Sequence, residues 1–461
     1  MYPQEFIERI YKQEYLDADT LMQAMNSPAP VSIRLNRKKW DRTPSGEEKV
    51  PWSDSGYYLE KRPSFTLDPL FHSGCYYPQE ASSMFIEEIF RQLNLRNEGL
   101  RILDLCAAPG GKSTHLSSLI GKQGILIANE AIRSRAAILA ENITKWGTGN
   151  TVVTNNDPSA FSGLKEYFDL IFVDAPCSGE GMFCDPAVRN EWSPDNASLC
   201  ADRQKRILTD VWPALKDGGR LIYSTCTFNP AENEENINWF AEKTGSESVT
   251  IDLSAFYGIQ EIKFKGITGY AFHPGKIKGE GFFCSVLKKS GNNTKNGSYS
   301  MKKISNPLTT FDIKTAEKLV DCNRDRLFRS DDTVYYLALP VEEFFFLRSS
   351  LRIIKGGTSL FKSRKDSFTP LHDLAISLLL RKDAFYSHEL DYSQAIKYLR
   401  KDNVVVGSCS ADWILLTYKG VNLGIGKNIG SRLNNYFPVE WRIRMSETSL
   451  KDTHLIEWVE G

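Results

Sequence analysis

Hydrophobic and polar positions alternate in two rhythms along the chain, and the change of rhythm divides it. At the start, "EFIERIYKQEY" spaces its apolar residues as one face of a helix does, and "PVSIRLNRKKW" reads as a strand followed by basic residues. "GYYLEKRPSF" reads as a second strand, and "YYPQEASSMFIEEIFRQLNL" leads into a helix from about Gln79. The middle of the chain then alternates short apolar runs with helical stretches. "RILDLCA", "GILIANE", "TVVTNND", "FDLIFVDAP" and "RLIYSTCTF" are strands of the buried kind, each near-continuously apolar. Helical segments separate them, among them "GGKSTHLSSLIG", which Gly121 suits as an end, "RSRAAILAENITKWG" and "SLCADRQKRILTDVWPALKDGG". Strands that alternate with helices predict a parallel, doubly wound α/β sheet of Rossmann type.

Beyond it, "KKSGNNTKNGSYSMKK" is polar and basic and reads as a linker. "DDTVYYLAL", "LRIIKGG", "NVVVGSC", "WILLTYKGVNLGIGKN" and "LNNYFP" predict small β-rich modules after it. The expected organisation is an N-terminal helical, RRM-like segment over 1–72, the α/β domain over 73–289, and a linker over 290–306. An RRM-like or other α+β module over 307–385 and a PUA-like module over 386–461 follow.

Composition changes this picture little. The 461 residues hold 57 Lys or Arg and 57 Asp or Glu, so bulk charge does not coat nucleic acid. Residues 351–461 hold 16 Lys or Arg against 12 Asp or Glu, a surplus that an ordinary solvated face explains as well as RNA does. With no signal-peptide pattern and no apolar run of about 20 residues, the expectation is a cytoplasmic protein without a membrane span. Nine cysteines, an odd number with no CxxC pair, argue against a disulfide framework or a zinc site, so no metal is expected.

In a doubly wound sheet, ligands sit beyond the carboxyl ends of the strands. All the unusual residues fall there. "CAAPGGK" (Cys106, Ala107, Ala108, Pro109, Gly110, Gly111, Lys112) follows a strand and opens a helix. It is neither GxGxxG nor a phosphate-binding P-loop. With acids after the next two strands, Glu130 for ribose hydroxyls and Asp157 for an adenine amino group, the turn suits S-adenosylmethionine; Arg135 joins this expected set. Two loops each carry a thiol, Cys177 in "DAPCSGEGMF" and Cys226 in "STCTFNPAENE". Carbon 5 of cytosine is a poor nucleophile until a thiolate adds to C6, and the C5 proton must later leave so that the thiolate can depart. Two thiols suit those two tasks, and their spacing leaves open which does which.

The three motifs together resemble the NOL1/NOP2/Sun family of RNA cytosine-5 methyltransferases, over roughly residues 30–290. The resemblance implies that Cys226 attacks the base, that Cys177 assists release, and that Asp174 contacts the cytosine near N3 and the methyl end of S-adenosylmethionine. It also implies that Lys112 orients Asp174. "SIRLN" (32–36) and "YYPQEASSM" (76–84) resemble family segments, with Arg34 and Asn36 as RNA contacts or members of a plain edge strand. Met182 and Phe183 are placed to stack near a base or to pack in the core, and Arg189 and Arg203 to meet phosphates or nearby acids. "WILLTYKGVNLGIGKNIGSRLNNYFP" resembles the PUA-like module of RsmF-type 16S rRNA methyltransferases, and the motifs come too early for the long N-terminal domain of the RsmB type. That implies methylation of a decoding-region cytosine in 16S rRNA, free or within the 30S subunit, by a protein expected to act as a monomer. Transfer RNA is the alternative substrate, and a non-catalytic ribosome assembly factor is the alternative class. An amino-methyltransferase would carry an "NPPY"-like loop where "DAPC" stands.

Overall fold

The apolar runs of the middle of the chain lie side by side. The computed structural model describes residues 2–95, 99–121, 123–291, 306–407, 409–430, 432–445 and 453–460, so most of the expected linker lies outside it. Two helices, Gln4–Lys12 and Ala18–Met25, come first. Asp17 caps the second by accepting from the Thr20 N–H. Strand β1 (Val31–Leu35) then lies between β2 (Gly56–Leu59) and β3 (Tyr76–Pro78), antiparallel to both. The helix expected from about Gln79 starts later. Glu80 accepts from the N–H groups of Ser82 and Ser83 at 2.8 Å each, nucleating a 3-10 turn over Ser82–Phe85 that runs into the helix Ile86–Gln92.

The central sheet holds five parallel strands: β4 (Arg101–Asp104), β5 (Ile125–Asn129), β6 (Thr151–Thr154), β7 (Phe168–Asp174) and β8 (Leu215–Thr225). Their order is β6-β5-β4-β7-β8, so the chain reverses its direction of travel across the sheet between β4 and β7. A crevice opens at that switch, above the carboxyl ends. β9 (Gln260–Phe264), β10 (Ile267–Phe272) and β11 (Phe282–Lys288) extend the sheet, with β11 antiparallel to β8. This is the Rossmann-like α/β architecture expected of the alternating pattern. The helix after β4, Gly111–Leu119, ends on an extended Ile120, one residue short of Gly121.

The far edge differs from expectation. "LRIIKGG" does not belong to a detached β-rich module: Ile353–Lys355 pairs antiparallel with β6. The helix before it, Val341–Ser350, buries Val341, Phe344 and Leu347 in the same core as Phe161 and Tyr167. Its Glu343 accepts from Arg101 Nε at 2.6 Å and from Tyr167 Oη at 2.8 Å. The rest of this region forms a four-stranded sheet from Leu327–Ser330, Thr333–Leu337, Gly357–Arg364 and Ser367–Pro370.

A last four-stranded sheet, Tyr386–Glu389, Trp413–Tyr418, Val421–Asn428 and Leu433–Asn435, packs with the helix Tyr392–Arg400. "NVVVGSC" forms no strand in its described residues, and Val405 is exposed. Ile396, Leu399 and Ile414 share one core with Ile33, Leu35 and Tyr76, so the C-terminal module packs on the N-terminal sheet. Among the described residues, no helix is long and apolar enough to cross a membrane.

Candidate active site

β4 delivers Asp104 to the crevice, and the chain then turns through Cys106–Gly110 into the helix Gly111–Leu119. Gly110 sits at φ +117°, in the left-handed region that favours glycine. A Cβ at Gly111 would meet Tyr77 Cε1 at 3.2 Å, so the turn runs tightly under β3. Arg34 holds it from below. Fully buried, Arg34 donates to Gln79 Oε1 at 2.8 Å, Thr114 Oγ1 at 2.6 Å and Gly111 O at 3.2 Å, and stacks over Trp146. Asn36 is buried too and donates to the carbonyls of Gly74 and Trp146. Neither side chain is offered at the surface; the strand carrying them is covered by the α/β domain.

A cavity of about 380 Å³ opens above the turn. Cys106, Ala107, Ala108, Pro109, Gly111, Lys112, Arg135, Asp174 and Cys226 of the expected set line it, together with Asp104 and Met182. Asp104 Oδ2 accepts from Ser113 Oγ at 2.6 Å, whereas the buried Oδ1 has no partner among the described residues. Burial, against the help of Ser113, and with Asp174 and Glu130 nearby, pushes the Asp104 carboxyl up to about 7. Burial likewise raises the Cys106 thiol well above its ordinary value.

Glu130 and Asp157 stand just past the ends of β5 and β6 without lining the cavity walls. Glu130 is buried, accepts from the Ile132 N–H at 2.9 Å and faces Arg135 at 3.7 Å; Arg135 also donates to Ala108 O. Asp157 caps the turn that follows it, accepts from Ser159, and meets Arg206 at 3.4 Å. Those hydrogen bonds and Arg206 outweigh burial and hold its carboxyl below the ordinary range.

On the other side of the switch, Asp174 ends β7. Its Oδ2 accepts from Lys112 Nζ at 2.8 Å and its Oδ1 from Ser224 Oγ at 2.7 Å. Burial opposes the Lys112 charge, but Asp174 overrides it and raises the Lys112 pKa. The two loop thiols meet here, with Cys177 Sγ 3.0 Å from Cys226 Sγ and 3.3 Å from the Cys226 N–H. The contact with Cys226, then burial, hold Cys177 as a thiol, well above its usual range. Cys226 lines the cavity, and Cys177 is in contact with it.

Two buried glutamates brace these loops. Glu232, from the Cys226 loop, accepts from the Ser178 N–H at 2.9 Å, Ser178 Oγ at 2.5 Å and Gln204 Nε2 at 3.0 Å. Burial pushes its carboxyl up to about 7, with Ser178 working against that. Glu180, from the Cys177 loop, meets Arg9 at 2.6 Å and accepts from Trp192 Nε1 and the Phe228 N–H. Phe183 is fully buried with its ring 4.9 Å from Phe6, so it packs in the core and is not free to stack on a base. Arg189 stacks on Tyr2 at 4.9 Å, and Arg203 is exposed on the helix Pro194–Val211. Ser178→Ala deletes one donor to Glu232 and leaves a buried carboxyl under-satisfied, at a cost of about 1–2 kcal/mol. A lowered Tm with unchanged far-UV circular dichroism is the expected result.

Profiles of known families cover most of the chain. One described as 16S rRNA methyltransferase RsmB/F matches residues 91–288, one for the N-terminal domain of 16S rRNA methyltransferase RsmF matches 2–81, and one for the RsmF PUA domain matches 385–443. Ribosomal RNA small subunit methyltransferase F of Vibrio cholerae is 30% identical over 434 residues, spanning 90% of this chain and 88% of that protein. The chain belongs to the RsmF-type 16S rRNA methyltransferases. The enzyme of the same name from Aliivibrio fischeri is 29% identical over 95% of this chain and 97% of its own length. A solved methyltransferase homolog from Pyrococcus horikoshii has a TM-score of 0.52 at 28% identity, covering 62% of this chain and 95% of its own.

The stretches quoted from the sequence contain more of the site than thiols and glycines. Asp104, Glu180 and Glu232 lie inside the quoted stretches, yet their spacing carries no sign of a role. Each is defined by a distant partner, Ser113, Arg9 or Ser178.

Proposed function

We propose that the protein methylates carbon 5 of a cytosine in 16S rRNA, in the decoding region of the small subunit, using S-adenosylmethionine and a covalent bond from Cys226 to C6. The observation that carries this is a pair of thiols 3.0 Å apart, one of them opening onto the cavity that also holds the Lys112–Asp174 pair. S-adenosylmethionine, when bound, supplies a methyl group made electrophilic by its sulfonium. The cavity fits such a cation: the unpartnered Asp104 Oδ1 points to an ammonium group, and the helix start after Gly110 offers free N–H groups. Glu130, Asp157 and Arg135 hold the nucleoside end.

Cys226 adds to C6. Asp174, oriented by Lys112 and Ser224, contacts the base near N3. Cys177 then manages departure of the C5 proton, so that Cys226 can leave and the ring regains its double bond. The braces through Glu180 and Glu232 keep both loops in register while a base is drawn out of its stack at a cost of a few kcal/mol. The N-terminal segment and the C-terminal modules grip RNA shape and phosphates.

Bisulfite sequencing of rRNA and tRNA from a deletion strain tests the reading. One cytosine of 16S rRNA is expected to lose protection and regain it when the purified enzyme is added. Loss confined to tRNA would move the same chemistry to the other substrate. Unchanged protection everywhere would leave an assembly factor.

A further inference from the structure

Glu280 lines two adjoining cavities, the one with Cys226 and Asp174 and a second of about 210 Å³ bounded by Ala24–Pro30, Cys184 and Gly275. Its backbone is fixed. The Glu280 N–H donates to Glu80 Oε1 at 2.9 Å, and its carbonyl accepts from Ser82 Oγ at 3.2 Å. The next residue is wedged against the Cys177 loop: a Cβ at Gly281 would come within 2.5 Å of Gly181 Cα and 2.4 Å of Phe228 Cζ. Only glycine lets the backbone pass there, and that passage holds Glu280 at the cavity.

The two acids at this wall differ. Glu80 is committed, accepting from the N–H groups of Ser82, Ser83 and Glu280. The Glu280 carboxyl has no hydrogen bond or ion pair among the described residues. The groups facing it are Glu80 from the segment after β3, and Asp185 and Cys184 from the Cys177 loop. Of the two cations that line the cavity, Lys112 is taken by Asp174, and Arg135 meets Glu130 and the Ala108 carbonyl. Burial, Glu80 and Asp185 therefore push the Glu280 carboxyl up to about 7.

Addition of a thiolate to C6 sends electron density through the ring to N3 and O2. Asp174 is an acceptor paired with Lys112 and suits the amino edge of cytosine; O2 needs a donor. We propose that the Glu280 carboxyl donates a hydrogen bond to O2 of the target pyrimidine and so stabilises the charge that gathers there as Cys226 adds. No proton leaves Glu280; the only bond made at the ring in this step is from Cys226 to C6. The assignment rests on the cytosine-5 reading above.

The sign follows from the group. A carboxyl that must carry its proton works below its pKa and fails above it, so the contribution fades as pH rises through about 7. Full-length wild type, Glu280→Gln and Glu280→Ala are compared on a small-subunit rRNA transcript with labelled S-adenosylmethionine. Glutamine stays a neutral donor at every pH, so the ratio of Glu280→Gln to wild-type kcat should rise about tenfold between pH 6 and pH 9, the worth of one hydrogen bond to a charging oxygen. Any pH dependence common to the two proteins cancels in that ratio. Glu280→Ala should turn over about tenfold or more slowly at pH 6.5, with the gap closing at pH 9. A ratio constant within about twofold across that range would overturn the assignment, as would Glu280→Ala matching wild type at pH 6.5. Should Glu280→Ala fail to bind S-adenosylmethionine in calorimetry, the near-isosteric Glu280→Gln decides alone. Nucleoside digests separate the two levels: 5-methylcytidine with a flat ratio removes only Glu280, whereas no 5-methylcytidine removes the reaction assignment and this inference with it.

Discussion

Cys226→Ala is expected to abolish methylation and covalent capture of RNA together, with a fall in rate of roughly 10⁴-fold or more, as for the loss of other covalent nucleophiles. Cys177→Ala should do the opposite to the adduct: it should accumulate as a slow band on a denaturing gel while turnover stops. The geometry explains why the variants part ways. The sulfurs are 3.0 Å apart and Cys226 lines the cavity, while the contact with Cys226 and burial retain the proton on Cys177. On the proposed reading Cys226 attacks the ring, and Cys177, in contact with it, acts once the bond exists. Labelled RNA incubated with each variant and S-adenosylmethionine, then run with and without protease, reads both outcomes. Swapped phenotypes would exchange the two assignments.

Much of this arrangement was legible in the pattern of apolar runs. The parallel strands β4 to β7 are largely buried and announce themselves as short apolar stretches, whereas β8 begins at Leu215, so that "LKDGG", read as the end of a helix, is its polar first half, and the switch point comes only from the strand order. What escaped has one physical origin, pairing over long sequence distances. Ile353–Lys355 is three residues long and gains its identity only from β6, about 200 residues earlier by number. Arg34 and Asn36 are polar residues on a strand, which reads as an exposed edge. They are buried because Gln79, Thr114, Gly111, Gly74 and Trp146 supply the partners they use. Of the two readings of Phe183, stacking near a base or packing in the core, the N-terminal helix selects the core by bringing Phe6 onto it. Glu130 and Asp157, by contrast, stand just past the strand ends where acids were expected.

Asp174→Asn is expected to lower kcat/KM by about 10²–10³-fold, comparable to removing one preorganised polar group at a charge-developing site. The substitution is nearly isosteric, so its cost measures chemistry more than packing. Both carboxylate oxygens already accept, Oδ1 from Ser224 Oγ at 2.7 Å and Oδ2 from Lys112 Nζ at 2.8 Å. An amide has one acceptor oxygen, so its NH₂ must face either the Ser224 hydroxyl or the Lys112 ammonium. Facing Lys112, it leaves a buried cation unpaired, which the lysine escapes by moving or by losing its proton. Facing Ser224, it turns the edge offered to the base from acceptor to donor, against the amino group of cytosine. Either way the base is held worse as Cys226 approaches, while the glycine turn and its helix start are untouched. S-adenosylmethionine affinity measured by calorimetry should therefore change little while single-turnover methylation collapses, and capture of RNA by Asp174→Asn combined with Cys177→Ala should slow in proportion. A loss of cofactor affinity equal to the loss of rate would instead place Asp174 at the cofactor alone and free the pyrimidine from it.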